Sequence, residues 1–213
     1  MNISPAKENI LKKIRQALTE STPLPFPQAE GTTSVFPPSL QPMEFEFAEH
    51  FTSLLGRFVY CANHEELAAQ LNNLVAQRKW SKVVCHEPKL KAVLQGKAFN
   101  QFCDSPLADC DAAITTCEAL IARTGSIMMS TGQESGRTVS VYAPVHICIA
   151  PSTKLVYDVK DAFQLLKEKY GNKLPSFVTL ATGPSRTADI EKTLVVGVHG
   201  PKEVFCFLVD EEI

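Results

Sequence analysis

The stretch DAAITTCEALIARTGSIMMSTGQESGRTVSVYAPVHICIA, residues 111–150, decides the fold. It holds five apolar segments, "DAAITTC", "ALIAR", "SIMMS", "TVSVYAP" and "HICIA", with only short turns between them. Parallel neighbours need a crossover of about a dozen residues or more, so segments this close cannot all run parallel. Some of them therefore pair antiparallel.

Outside this stretch the pattern alternates. Upstream, "MEFEFAEHFTSLLGR" has helical character, "FVYC" is a short strand, and "NHEELAAQLNNLVAQRK" opens with Asn63 as cap and Glu66 three residues on, then repeats Leu67, Leu71 and Leu74. "KVVC" is a further strand, followed by the helix "EPKLKAVLQ". Downstream, "YDVKDAFQLLKEKYG" reads as a helix stopped by Gly171, and "SFVTLAT" and "EVFCFLVD" read as strands. Helix and strand alternating around an antiparallel middle predict an α/β fold: an open mixed sheet with helices on both faces. That domain is expected over residues 43–213.

Residues 1–42 differ. Pro5 suits a first helical position, and Ile10, Leu11, Ile14 and Leu18 fall on one stripe, so residues 4–18 predict an amphipathic helix. Residues 21–42 carry six prolines and no period, as an extended linker does. A short helix on a long tether suits association, which makes this arm the candidate site of a homo-oligomer contact or a partner contact. Folding back on its own domain is the other outcome.

The 213 residues are 45% hydrophobic, enough for one buried core. Lys and Arg total 21 against 23 for Asp and Glu, which leaves no positive excess to draw in nucleic acid. The charged N-terminal stretch is unlike a secretory signal, and no run of about 18 apolar residues could span a membrane, so a cytoplasmic protein is expected. Seven cysteines are scattered without a C-x-x-C pair. The regular spacing of Cys103, Cys110 and Cys117 is wider than cluster ligands use, and Pro106 interrupts it, so no metal site is expected.

In an open α/β sheet, ligands sit beyond the carboxyl ends of strands. After "SFVTLAT" come Gly183, Pro184, Ser185, Arg186 and Thr187. Gly183 permits a sharp turn, and Ser185 or Thr187 can cap a following helix whose free N–H groups favour an anion. Arg186 adds a two-pronged donor for carboxylate or phosphate. Asp189 and Glu191 could instead satisfy that turn internally. A second strand end, "RTGSIMMS", offers Thr124, Gly125 and Ser126 as a polar cradle, although a hairpin turn gives the same pattern. Arg137 is a further anion-binding candidate, and His146 stands in an apolar strand, where a histidine more often bonds a neighbour than moves a proton. His199, between an apolar run and Gly200–Pro201, is placed to exchange a proton near neutral pH. Dinucleotide, P-loop, hydrolase and zinc-protease signatures are all missing.

"TGPSRTADIEKTLVVGVHGP" (182–201), with "RTGSIMMS" and "GRTVSVYAPVHICIAP" upstream in the same order, resembles the LUD-domain family of lactate utilisation proteins from about Met43 onward. The resemblance implies a fold like the NagB, ribose-5-phosphate isomerase and CoA-transferase group. It implies work in a three-component cytoplasmic system that oxidises L-lactate to pyruvate, with iron–sulfur clusters on the partner proteins and no cofactor assigned to this chain. Gly183 to Glu191 and His199 to Pro201 match the family's hallmark segments. Where relatives commonly have Glu before Thr-Gly, this chain has Arg123, a reversal that argues against a glutamate nucleophile there. The expected ligand is thus a small carboxylate or phosphate held by Thr124, Gly125, Ser126, Arg137, Gly183, Ser185, Arg186 and Thr187. Asp189 and His199 are the candidate acid and base. A stand-alone enzyme acting on a phosphorylated, folate or CoA-type substrate, and a non-catalytic assembly subunit, are the alternatives.

Overall fold

A computed structural model describes residues 5–19, 36, 38, 39, 41–187 and 195–213. Contacts divide the chain into two units, Met1–Pro38 and Ser39–Ile213. In the first unit, α1 spans Pro5–Thr19 and begins on the proline that suits a first helical turn.

The second unit begins with α2 (Met43–Ser53), β1 (Arg57–Cys61), α3 (His64–Arg78), β2 (Val83–Cys85) and α4 (Pro88–Gly96). β3 (Ala112–Thr115), β4 (Ala119–Ile121) and β5 (Ser126–Ser130) follow in quick succession, then α5 (Val139–Tyr142), β6 (Val145–Pro151) and β7 (Leu155–Val156). The chain closes with α6 (Val159–Tyr170), β8 (Val178–Ala181), β9 (Arg186–Thr187), β10 (Val195–Val196) and β11 (Glu203–Val209). Asn63 caps α3 by accepting from the Glu66 amide, and Gly171 ends α6 at a φ of 56°.

The fold is mixed α/β, with its strands divided among sheets of the described residues. A five-stranded sheet runs β1-β11-β6-β3-β2, and every pair in it is parallel. A four-stranded sheet runs β7-β4-β5-β8, with antiparallel β4–β5 and β5–β8 pairs, as the crowding of residues 111–150 demands. β9 and β10 form a separate antiparallel pair.

Alternation along the strands builds the layers. In β6 and β11, Val145, Ile147, Ile149, Phe205 and Phe207 face Leu67, Leu71, Leu90 and Leu94 of α3 and α4. Cys148, Ala150, Val204, Cys206 and Leu208 face the other way, onto Phe47 and Phe51 of α2 and onto Leu120 and Ile127 of the second sheet. That sheet's far side, Ala119, Ile121 and Met128, is covered by Ala162 and Leu166 of α6. A parallel sheet covered on both faces explains why β6 and β11 are apolar at nearly every position.

One expected strand is a helix. "TVSVYAP" forms the short α5, because Val139 and Ala143, four residues apart, bury together against Val84 and Ala113. No described helix is long and apolar enough to cross a membrane.

Candidate functional site

A parallel sheet sends the carboxyl ends of all its strands to one edge, and there the chain can aim polar side chains at a shared hollow. β2 ends at Cys85, and Pro88 starts α4 at once, so Glu87 is fixed between them. Its carboxylate does not cap α4. It turns to the end of β3, where Oε1 accepts the Thr116 amide at 3.0 Å and Oε2 accepts the Thr116 hydroxyl at 2.5 Å. Glu87 is only 6% exposed.

Thr116 Oγ1 also accepts from Gln133 Nε2 at 3.3 Å, and Gln133 Oε1 accepts the Ser130 amide at 2.9 Å. The Ser130 hydroxyl donates at 2.6 Å to Glu118, which is 3% exposed. Glu118 further accepts from Lys169 Nζ at 2.8 Å and from the Tyr170 hydroxyl at 2.7 Å. Burial pushes the Glu118 carboxyl up, but bonds from Lys169, Ser130 and Tyr170 outweigh it and hold the group below its ordinary range. Two buried glutamates are therefore joined by one hydrogen-bonded path through Thr116, Gln133 and Ser130. Gly132 makes the path feasible, since a Cβ there would stand 2.3 Å from the Tyr170 hydroxyl.

Glu87, Thr116, Gln133, Lys154 and Lys169 line a hollow of about 390 Å3 at this edge, with Lys89, Glu134 and Glu212 also among its lining residues. Lys169 is tied to Glu118, whereas Lys154 forms no ion pair among the described residues. Cys117 also lines the hollow, but contact with the Cys148 thiol, together with burial, pushes its own thiol well above the ordinary range. The available chemistry is hydrogen bonding, charge pairing and proton exchange at carboxylates, without a thiolate.

The residues singled out in the sequence lie elsewhere. Gly183, Ser185 and His199 line a second hollow of about 290 Å3, together with Ser140 and Pro201. The two segments are strapped together: the Ser185 amide donates to the Pro201 carbonyl and the Gly197 amide to the Ser185 carbonyl, both at 2.9 Å. His199 is exposed on this rim. No helix begins directly after Ser185, and what directly follows Thr187 lies outside the described residues. Arg186 and Thr187 pair instead with Val196 and Val195, so the stretch directly after Ser185 is a strand, in keeping with the extended preference of β-branched Thr187, Val195 and Val196. Arg186 is exposed, and Asp189 and Glu191 lie outside the described residues.

Thr124, Gly125 and Ser126 do approach Gly183, because β5 and β8 pair with Ile127 opposite Ala181. The space between the two turns is taken by α2 and the residues just after it. A Cβ on Gly125 would lie 2.4 Å from the Phe51 nitrogen, and one on Gly183 would lie 2.4 Å from the Leu54 carbonyl oxygen. The Thr124 and Ser126 hydroxyls bond each other at 2.7 Å. Arg137 is exposed, with its guanidinium 5.1 Å from the centre of the Phe177 ring. None of Thr124, Gly125, Ser126, Arg137, Arg186 and Thr187 lines either hollow. Arg123 is ion-paired at 2.8 Å with Asp158, the cap of α6. His146 is fully buried, with Nε2 2.8 Å from the Thr115 hydroxyl, and burial pushes its pKa down to about 4. It lines neither hollow. Among the described residues, no group of three or more His, Cys, Asp or Glu is arranged to hold a metal ion.

Glu87, Thr116, Gln133 and Lys154 were not legible as a set, since the first two lie 29 residues apart and meet only through β2–β3 pairing. The available signal was the rule that strand ends carry sites, applied to "VVCHEP" and "AITTCE" as well as to the later strands.

Comparison with known proteins identifies the chain's relatives. A family model described as the LUD domain matches residues 100–209, just over half of the chain. Lactate utilization protein C of Bacillus licheniformis is 36% identical over 90 residues, which is 41% of this chain and 38% of that protein. Its namesake in Halalkalibacterium halodurans is 38% identical over 91 residues, 42% of this chain and 39% of that protein. The matched stretch thus spans about two fifths of the length of these curated relatives. The crystal structure of a DUF162 family protein from Deinococcus radiodurans superposes with a TM-score of 0.60 at 19% identity, covering 81% of this chain and 99% of that one, and so shares the fold. With the family model spanning most of the sheet-forming region, the chain belongs to the LUD-domain family.

Proposed function

We propose that this chain is a component of a cytoplasmic system that oxidises L-lactate to pyruvate beside partner proteins carrying iron–sulfur clusters, and that it holds a small anionic ligand at the carboxyl edge of its parallel sheet. The observation that carries the ligand site is the hollow of about 390 Å3, where the ammonium of Lys154 forms no ion pair among the described residues beside a hydrogen-bonded, buried Glu87. A cavity of this size with a few convergent polar groups suits a small-molecule ligand. The lactate system is supported by the shared description of the relatives, Lactate utilization protein C. Residues 1–42 serve in this scheme as the docking arm.

Calorimetric titration of L-lactate into the purified chain tests the site. Binding is expected, and Lys154→Ala should weaken it about tenfold through loss of a charge-assisted contact. Equal affinity in the variant would remove Lys154 from the site.

A second proposal, a stand-alone acid–base enzyme, draws on the meeting of His199 and Ser185 in one hollow of about 290 Å3. Turnover by the purified chain without partners, lost in His199→Ala, separates it from the first.

A further inference from the structure

We infer that the strand-end hollow selects carboxylates bearing a hydrogen-bond donor on the adjoining carbon, and that Glu87 makes the selection. The inference rests on the proposed placement of the ligand in this hollow and adds what that ligand must look like.

A carboxylate offers about four lone-pair sites. In Glu87, one on each oxygen is filled, by the Thr116 amide and by the Thr116 hydroxyl. Those two bonds come from one residue and fix the plane of the group. Gln133 fixes Thr116 in turn: its amide donates to Oγ1, so the hydroxyl proton is left for Glu87. The Gln133 side chain is itself oriented by the Ser130 amide, at 2.9 Å. Glu87 lines the hollow, and among the described residues its carboxylate accepts no side-chain or backbone donor beyond these two, so lone pairs remain open on a group held by Thr116.

Such a group accepts and cannot donate. A ligand hydroxyl or amine meets it favourably, whereas a ketone oxygen meets it lone pair to lone pair, and a plain methylene leaves it with nothing. The cation for the ligand's own carboxylate comes from Lys154, which is half-buried on the same lining and forms no ion pair among the described residues. Lys89, Glu134 and Glu212 share the lining but are exposed, so the buried acceptor Glu87 and the half-buried cation Lys154 define a molecule with an anionic group and a neighbouring donor. Rejection of the donorless analogue is strong in sites built this way, because the buried polar group is otherwise left unmatched.

Four probes of similar size separate the outcomes: L-lactate and L-alanine carry the donor, propionate lacks it, and pyruvate replaces it with an acceptor. Calorimetry on the full chain should show L-lactate or L-alanine binding about tenfold or more tighter than propionate and pyruvate. In Glu87→Gln the side-chain amide can donate, so pyruvate should gain on L-lactate and the ranking of that pair should reverse. Thr116→Val should shrink the preference by freeing Glu87, while Thr116→Ser should keep it, which guards against a Glu87 variant that does not fold. Equal affinities for all four probes in the wild type, or the same ranking in Glu87→Gln, would overturn the selection by Glu87 and leave the ligand's placement standing. Binding of none of the four at millimolar concentration would overturn the placement itself, and this inference with it.

Discussion

Gly125 lies so close under α2 that a Cβ on it would stand 2.4 Å from the amide nitrogen of Phe51. Its φ of 58° is one that residues with side chains seldom adopt. The turn after Thr124 is thus a packing surface for a helix end. Gly125→Ala should lower stability by about 2–3 kcal/mol, from backbone strain together with overpacking. Urea unfolding would show a lower midpoint at an unchanged slope. A variant as stable as the wild type would mean that α2 is not seated there.

His146 should act as a stability sensor for acid. Burial lowers its pKa from 6.5 to about 4, so the unfolded chain takes up a proton at a pH where the folded one does not. Its contribution is complete above about pH 6.5 and is lost progressively as the pH falls through about 4. Between pH 7 and pH 5 that amounts to about 2 kcal/mol. His146→Gln should flatten the pH dependence of unfolding in this window, and the imidazole resonances assigned to His146 in the wild type should not titrate above pH 5. Titration of those His146 resonances near pH 6.5 in the folded protein would contradict a closed environment.

Arg123 pairs with Asp158, whose carboxylate also accepts the Val159 amide and completes a capping box with Asp161. The Arg123 bond holds the Asp158 carboxyl below its ordinary range. Arg123→Glu would set two carboxylates together at the start of α6 and should cost about 1–2 kcal/mol. Since Arg123 lines neither hollow, L-lactate affinity should stay unchanged. Altered affinity with unaltered stability would reverse this assignment.

Local chemistry was legible in the sequence, and long-range juxtaposition was not. The Asn63 cap, the Gly171 stop and the strands β3 to β6 each follow from residues within a few positions of one another. α5 misled because four residues of "TVSV" alternate as a strand does while Val139 and Ala143 also fit a helical turn, and tertiary packing decides between the two. The Gly183 turn was visible as a turn, yet the strand character of Arg186 and Thr187 just after it depended on pairing with Val196 and Val195. Glu118 shows the limit most plainly: its partner Lys169 lies 51 residues away, and no periodicity links them.

The strand order β1-β11-β6-β3-β2 has a bearing on how the protein is made. β11 lies far along the chain from β1, yet it is an interior member of its sheet, and it is the only hydrogen-bonded neighbour of β1 among the described strands. Until Glu203–Val209 emerges, Arg57–Cys61 is a nascent edge with nothing to zip against, and β6 has one flank bare. Assembly of that sheet therefore waits for its most distant partner, and the earlier elements spend part of synthesis with an unpaired flank, the condition that invites mispairing or a holding chaperone.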